Sequence, residues 1–157
     1  MTLTYWGFDG RVHADGRLVV GTRHVTPTVR ALRDVFVARF PIRRMQPVEA
    51  YGASDDRSMA ADNTSAFNCR RVAGSTSWSE HAYGRAIDVN PLENPEVMRS
   101  GRVLPPAGAA YLDRSRRAKG MIHAGDAVVR AFAAVGWHWG GYWTSLKDYQ
   151  HFSSTGR

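Results

Sequence analysis

The sequence predicts an α+β fold, with a small antiparallel sheet and helices packed on one side of it. Two observations carry that expectation. Apolar residues recur at helical spacing in two stretches, one toward each end of the chain, and between them short β-branched or alternating runs are broken by Gly, Pro and Asn. At 157 residues and 43% hydrophobic content, without repeats or low-complexity tracts, the chain suits one domain over 1–157 with one core.

Each element has a local reason. Tyr5-Trp6-Gly7-Phe8-Asp9-Gly10 is aromatic and turn-rich and is expected to cover an edge of the core, and Arg17-Leu18-Val19-Val20 reads as a short strand. Thr26-Pro27 supplies an N-cap and a first-turn proline, after which Val29, Leu32, Val35, Phe36 and Phe40 keep helical spacing as far as Pro41. Residues 44–48 read as a strand, 50–63 as a loop, and 66–71 as the next strand, with Phe67 and Cys69 toward the core and Asn68 and Arg70 on the opposite face. The proline-rich excursion after Pro91 is expected at the surface. A second helix runs from about Gly125 to Val135 and stops at Gly136. The closing stretch packs Trp137, Trp139 and Trp143 with Gly140 and Gly141, half core filling and half a wall for close packing.

The balance of 21 Lys+Arg against 14 Asp+Glu gives +7, mostly from Arg, which suits contact with a polyanion such as nucleic acid, anionic lipid or an acidic cell wall. Only Arg114, Arg116, Arg117 and Lys119 cluster and no nucleic-acid motif accompanies them, so no nucleic-acid partner is expected. No apolar run approaches the ~20 residues of a membrane span, and residues 1–5 lack the basic-then-apolar pattern of a secretion signal. The single Cys69 excludes an internal disulfide and a Cys-rich zinc module, and reads as a small buried hydrophobe. Nothing in the chain specifies an oligomeric state.

The chemistry centres on Ser79 to Pro91. His81 sits on a loop, Gly84 turns the chain, and Asp88 lies on a following strand where Ile87 and Val89 point one way and Ala86, Asp88 and Asn90 the other. Asp88 thus shares a face with small or polar neighbours, as a site residue would. A catalytic zinc centre needs three protein ligands and an open position; His81 and Asp88 supply two. Among the remaining histidines His151 is the best third, ahead of His123, which lies in a connector, and His138, which is boxed by Trp137 and Trp139.

Ser79-x-His81-x6-Asp88 followed by Asp148-x-x-His151 resembles the signature of the zinc D,D-carboxypeptidase and L,D-type endopeptidase family of peptidoglycan, which includes VanY, VanX and phage L-alanyl-D-glutamate peptidases and shares the hedgehog-domain fold. The stretch from Asn63 to Arg70 and Gly140-Gly141-x-Trp143 resemble its bacterial D-alanyl-D-alanine carboxypeptidase-like branch. The resemblance runs from about Tyr5 to Phe152. It implies Zn2+ held by His81, Asp88 and His151, Asp148 as general base, a peptidoglycan peptide as substrate, and a cell-envelope or extracellular location. D-Ala-D-Ala carboxypeptidase is the first specificity, L-Ala-D-Glu endopeptidase the second.

Three residues apart on one regular strand face opposite sides, so Asp148 and His151 converge only if Asp148 lies at a strand start or on a bend. The developing oxyanion and a substrate carboxylate call for an arginine. Arg70 is the first candidate for its facing, Arg57 the second and Arg71 the third; the family's Gly-Tyr-Arg tripeptide is absent. Ser79, two residues before the first ligand, hydrogen-bonds substrate or orients the loop. A serine hydrolase built from Ser79, His81 and Asp88 lacks a Gly-x-Ser-x-Gly elbow. A zinc-bearing binding module without turnover would have no use for Asp148, and a basic nucleic-acid-binding domain is the third alternative.

Overall fold

The computed structural model describes residues 1–157, which form four small sheets and three α-helices. Strands β1 (Thr2–Trp6) and β2 (Val12–Arg17) pair antiparallel. The aromatic opening is therefore itself a strand. The strand expected at 17–20 instead lies earlier, because β1 offers partners only between Trp6↔Val12 and Thr2↔Arg17.

Helix α1 (Val25–Val37) starts just before the expected Thr26 cap, with Pro27 in the first turn, where its missing N–H leaves no bond unmade. Its buried stripe is Thr28, Ala31, Leu32 and Val35, whereas Val29 faces solvent. Beyond it, β3 (Arg44–Met45) runs parallel to β4 (Asn63–Thr64). The connection expected to be plain loop contains α2 (Asp55–Ala60). Ser54 caps it, its Oγ accepting from the Arg57 amide at 3.3 Å, and Asp55 and Asp56 complement the positive end of the helix.

Residues 66–71 do not form the expected strand. The Phe67 amide donates to the Val19 carbonyl and the Asn68 amide to the His81 carbonyl, so two different segments claim successive residues and no ladder develops. The facing changes with it: Asn68 is buried and Cys69 is exposed, not a core residue.

The site-bearing sheet is antiparallel, in the order β5 (Ala86–Asp88), β10 (His151–Ser153), β8 (His138–Trp139). A second antiparallel sheet sets β6 (Glu96–Val97) between β7 (Val103–Leu104) and β9 (Lys147–Asp148). The excursion after Pro91 thus carries a hairpin, and it is anchored inward: buried Asn94 accepts from the Ile122 amide at 2.7 Å and donates to the Gly120 carbonyl at 2.9 Å. Helix α3 (Ala127–Ala133) packs on α1 and β8, and the turn that follows it reverses at Gly136, whose φ of +80° glycine adopts without strain. The core joins Leu32 and Val35 of α1, Val128 and Phe132 of α3, and Ile87, Val89, Trp139 and Phe152 from the site sheet and its flank. Phe132 stacks on Phe152 at 4.2 Å, which fixes the back of the strand that carries His151. No helix is long and apolar enough to cross a membrane.

Candidate metal centre

A short 3-10 turn, Glu80–Tyr83, delivers His81. Ser79 caps it, its buried Oγ accepting from the His81 amide at 3.3 Å, so Ser79 orients the loop. Gly84 closes the turn at φ +60°, and a Cβ there would lie 2.3 Å from the Gly21 nitrogen; the reversal needs glycine for both conformation and space. The chain then enters β5, where Ile87 and Val89 go into the core and Asp88 faces the site. His151 lies directly opposite Asp88 across the β5–β10 ladder, and this register brings the third residue in from 63 positions away.

The three side chains are buried and converge on one point. His81 Nε2 lies 3.2 Å from His151 Nδ1 and 3.1 Å from Asp88 Oδ2, and His151 Nδ1 lies 3.1 Å from Asp88 Oδ1. The outer nitrogens decide the tautomers. His81 Nδ1 faces the Ala66 carbonyl at 2.6 Å and His151 Nε2 faces the Arg157 carbonyl at 3.1 Å. A carbonyl only accepts, so each outer nitrogen carries a proton; a neutral ring then turns a bare nitrogen inward, and a protonated ring donates inward to Asp88. With both rings neutral, two lone pairs and a carboxylate converge on one point and suit a cation there, a charge that a proton on either ring otherwise supplies. Burial alone would raise the Asp88 carboxyl, but His81 and His151 outweigh it and hold the group far below the usual range; burial likewise opposes charge on His81, and Asp88 overrides it and raises that imidazole. Two imidazole nitrogens, each ring oriented from behind, and one carboxylate oxygen are a donor set that fits a zinc-like ion.

Asp148 and His151 meet because they do not share a strand. Asp148 ends β9 in one sheet, His151 begins β10 in the other, and Tyr149-Gln150 makes the bend between them. Asp148 Oδ1 is buried without a hydrogen-bond partner. Burial, together with the Asp88 and Glu96 charges, raises the Asp148 carboxyl well above its ordinary range, against the opposing pull of His151 and Arg70. A buried carboxylate with high proton affinity beside a cation site suits proton transfer.

Arg70 reaches this neighbourhood, and its Nε pairs with Asp55 Oδ2 at 2.9 Å while Asn68 donates to Asp55 Oδ1 at 2.8 Å. Arg57 does not converge on it: it is exposed and donates to the Gly52 carbonyl at 3.2 Å. Arg71 turns away to the Thr76 carbonyl and the Trp78 ring. His123 is held by Asp126 and the Arg116 carbonyl, and His138 is exposed between buried Trp137 and Trp139. Trp143 does border the site, its ring 5.3 Å from that of His151. Two residues that the sequence reading passed over stand here. Asp55 lies in the supposed loop, where the Ser54-Asp55-Asp56 start of a helix was the available signal. Glu96 pairs with Asp148 across strands of two residues each, too short for any periodicity to reveal.

A protein-family model described as D-alanyl-D-alanine carboxypeptidase matches residues 73–154, more than half of the chain and all of the residues from Ser79 to His151 discussed above. No curated protein and no solved structure matches it.

Proposed function

Since the chain belongs to the M15 peptidase family, we propose that it is a zinc-dependent peptidase cleaving the stem peptides of peptidoglycan, with a terminal D-Ala-D-Ala bond as its first substrate. The observation that carries this reading is the convergence of one nitrogen from each of His81 and His151 on the buried Asp88 carboxylate. His81, Asp88 and His151 would hold Zn2+, which when bound supplies Lewis acidity to polarise the scissile carbonyl and acidify the attacking water. Asp148 takes the proton from that water and returns it to the leaving amine. Arg70 offers its guanidinium to the developing oxyanion or a substrate carboxylate, steered by Asp55. Ser79 keeps the His81 loop in register. On this reading residues 1–157 are one catalytic domain of the hedgehog and D,D-peptidase type, acting at the cell envelope or outside the cell.

A second reading, L-Ala-D-Glu endopeptidase, is favoured by one observation: the Arg70 charge is already met by Asp55, which weakens its hold on a free terminal carboxylate. A non-catalytic zinc module would leave the buried, unpartnered Asp148 Oδ1 without a purpose. The test incubates zinc-loaded protein with defined stem peptides, with and without chelator, and identifies products by mass. Released D-alanine that disappears on chelation supports the first reading and cleavage after L-Ala the second; no product, or equal product without metal, overturns both. Asp148→Asn is expected to retain zinc and lose turnover by ~10² or more; equal loss of metal would show that Asp148 is not a base.

A further inference from the structure

The segment that follows β10 is held by four contacts, one at each residue. The Ser154 amide donates to the Arg85 carbonyl at 3.1 Å, and the Thr155 hydroxyl donates to Glu80 Oε2 at 2.5 Å. The Gly156 carbonyl accepts from Trp143 Nε1 at 2.9 Å, and the Arg157 carbonyl accepts from His151 Nε2 at 3.1 Å. Only the first of these continues the β5–β10 ladder, in which Ser153 faces Ala86. The other three hold the segment folded back, so that residue 157 meets the ring of the residue that begins β10. Gly156, at φ +78°, permits the reversal. Glu80 supplies the one carboxylate among these partners. It is 11% exposed and is gripped by Arg85, through Nε at 2.7 Å and Nη2 at 3.1 Å. Such a fork fixes the carboxylate in one orientation, and a hydroxyl donated to a charged oxygen makes a stronger bond than one given to a neutral group. Glu80 also stands next to His81 on the 3-10 turn. The turn that delivers one imidazole therefore anchors the segment that holds the outer nitrogen of the other.

Resting on the metal-centre reading above, we propose that Glu80 is a positioning residue for His151: through Thr155 it pins residues 154–157 so that the Arg157 carbonyl fixes the ring of that ligand. The Arg157 carbonyl is the one hydrogen-bond partner of His151 Nε2, whereas the His81 ring has its own anchor in the Ala66 carbonyl, on a different segment. A ligating imidazole keeps its orientation through the bond made by its outer nitrogen, and loss of that partner weakens metal binding. Loosening residues 154–157 thus acts on His151 and leaves the anchor of the His81 ring in place.

The test measures zinc affinity by competition with a chromophoric chelator and, on protein labelled with 15N-histidine, the ring N–H signals of the zinc-loaded form. Thr155→Val keeps the shape of an exposed residue and removes its donor; it is expected to weaken zinc binding about tenfold, whereas Thr155→Ser, which keeps the hydroxyl, stays within about twofold of wild type. Glu80→Ala is expected to weaken it at least as much, and the double variant with Thr155→Val no more than Glu80→Ala alone, as two partners of one contact require. In Thr155→Val the His151 Nε2 proton should exchange faster with water while the His81 Nδ1 proton keeps its wild-type signal; a general loosening of the fold would move both. Zinc affinity unchanged in Thr155→Val, additive losses in the double variant, or a parallel change of both ring protons overturns the proposal. Neither readout needs turnover, so absence of peptide cleavage overturns the peptidase reading while the expected affinities and ring protons still support this one. A wild type that takes up no zinc overturns the metal centre and this proposal with it.

Discussion

Two regions of this molecule bury carboxylates, and they are completed in opposite ways. On one face Asp62 and Glu93, both almost fully buried, share the guanidinium of Arg43, at 3.3 Å from Asp62 and 3.5 Å from Glu93, while Arg114 ties the Glu93 and Ile122 carbonyls to the Asn94 side chain. Arg43 is further held over the Phe8 ring. That network brings its own cation. At the other region Asp88 faces the inner nitrogens of two imidazoles, and the Arg70 guanidinium is turned to Asp55. On the proposed reading this one takes its cation from solution. Burial of negative charge is common to both; what separates a structural cluster from a functional one is whether the compensating charge is part of the chain.

That contrast can be broken at either end. The largest effect is expected for Asp88→Ala, which removes one of three donors and should lower zinc affinity at least ~10³-fold by competition with a chromophoric chelator; chelation of the wild type should lower Tm by about 10 °C, since a saturating ligand contributes roughly 4 kcal/mol. Asp88→Ala should be insensitive to chelator. Next is Gly84→Val: its left-handed φ and the 2.3 Å approach to Gly21 N predict a loss of ~3 kcal/mol in urea unfolding and weaker zinc binding, because His81 is carried by that turn. Unchanged zinc content would show that the turn does not position the ligand. Arg43→Met attacks the self-completed network and should cost about 2 kcal/mol with zinc affinity within twofold of wild type, the reverse of Asp88→Ala.

The smallest effect is a pH dependence. Burial and the Asp62 charge raise the Glu93 carboxyl to about 8 from an ordinary 4.5. The folded state then retains a proton that the unfolded chain releases near pH 4.5. This favours folding most below that pH, and the contribution is lost as pH rises through about 8. Glu93→Gln should match wild type in Tm near pH 4 and exceed it by a few degrees, about 1 kcal/mol, at pH 9. Parallel Tm curves across that range would show that Glu93 is ionised in the fold.

The same contrast explains what the sequence disclosed. His81, Gly84 and Asp88 lie within eight residues, and the turn and strand chemistry between them is local, so their arrangement was legible. So were α1 and α3, whose length lets a 3.6-residue period accumulate, although Val29 turned outward and Thr28 inward. His151 was reached through its spacing from Asp148, and the need for a bend between them was legible too, but not its cause, which lies in the division of β9 and β10 between two sheets. Residues 66–71 misled for a related cause: their alternation resembled a strand, yet Val19 and His81 take their amides singly, and only long-range packing decides that. Asp55 and Glu96 escaped notice because a six-residue helix and two-residue strands carry too few positions to show a pattern.

The step from β9 to β10 has a mechanical consequence. The three metal-facing residues hang on one sheet and its flanking turn, while Asp148 belongs to another sheet, joined through only Tyr149 and Gln150. With the roles proposed above, sliding of the two sheets against each other alters the reach of Asp148 as proton carrier and leaves the cage formed by His81, Asp88 and His151 intact. On gradual warming, turnover is therefore expected to fade while zinc is still fully retained, so the temperature at which the protein stops working would lie below the one at which it lets go of its metal.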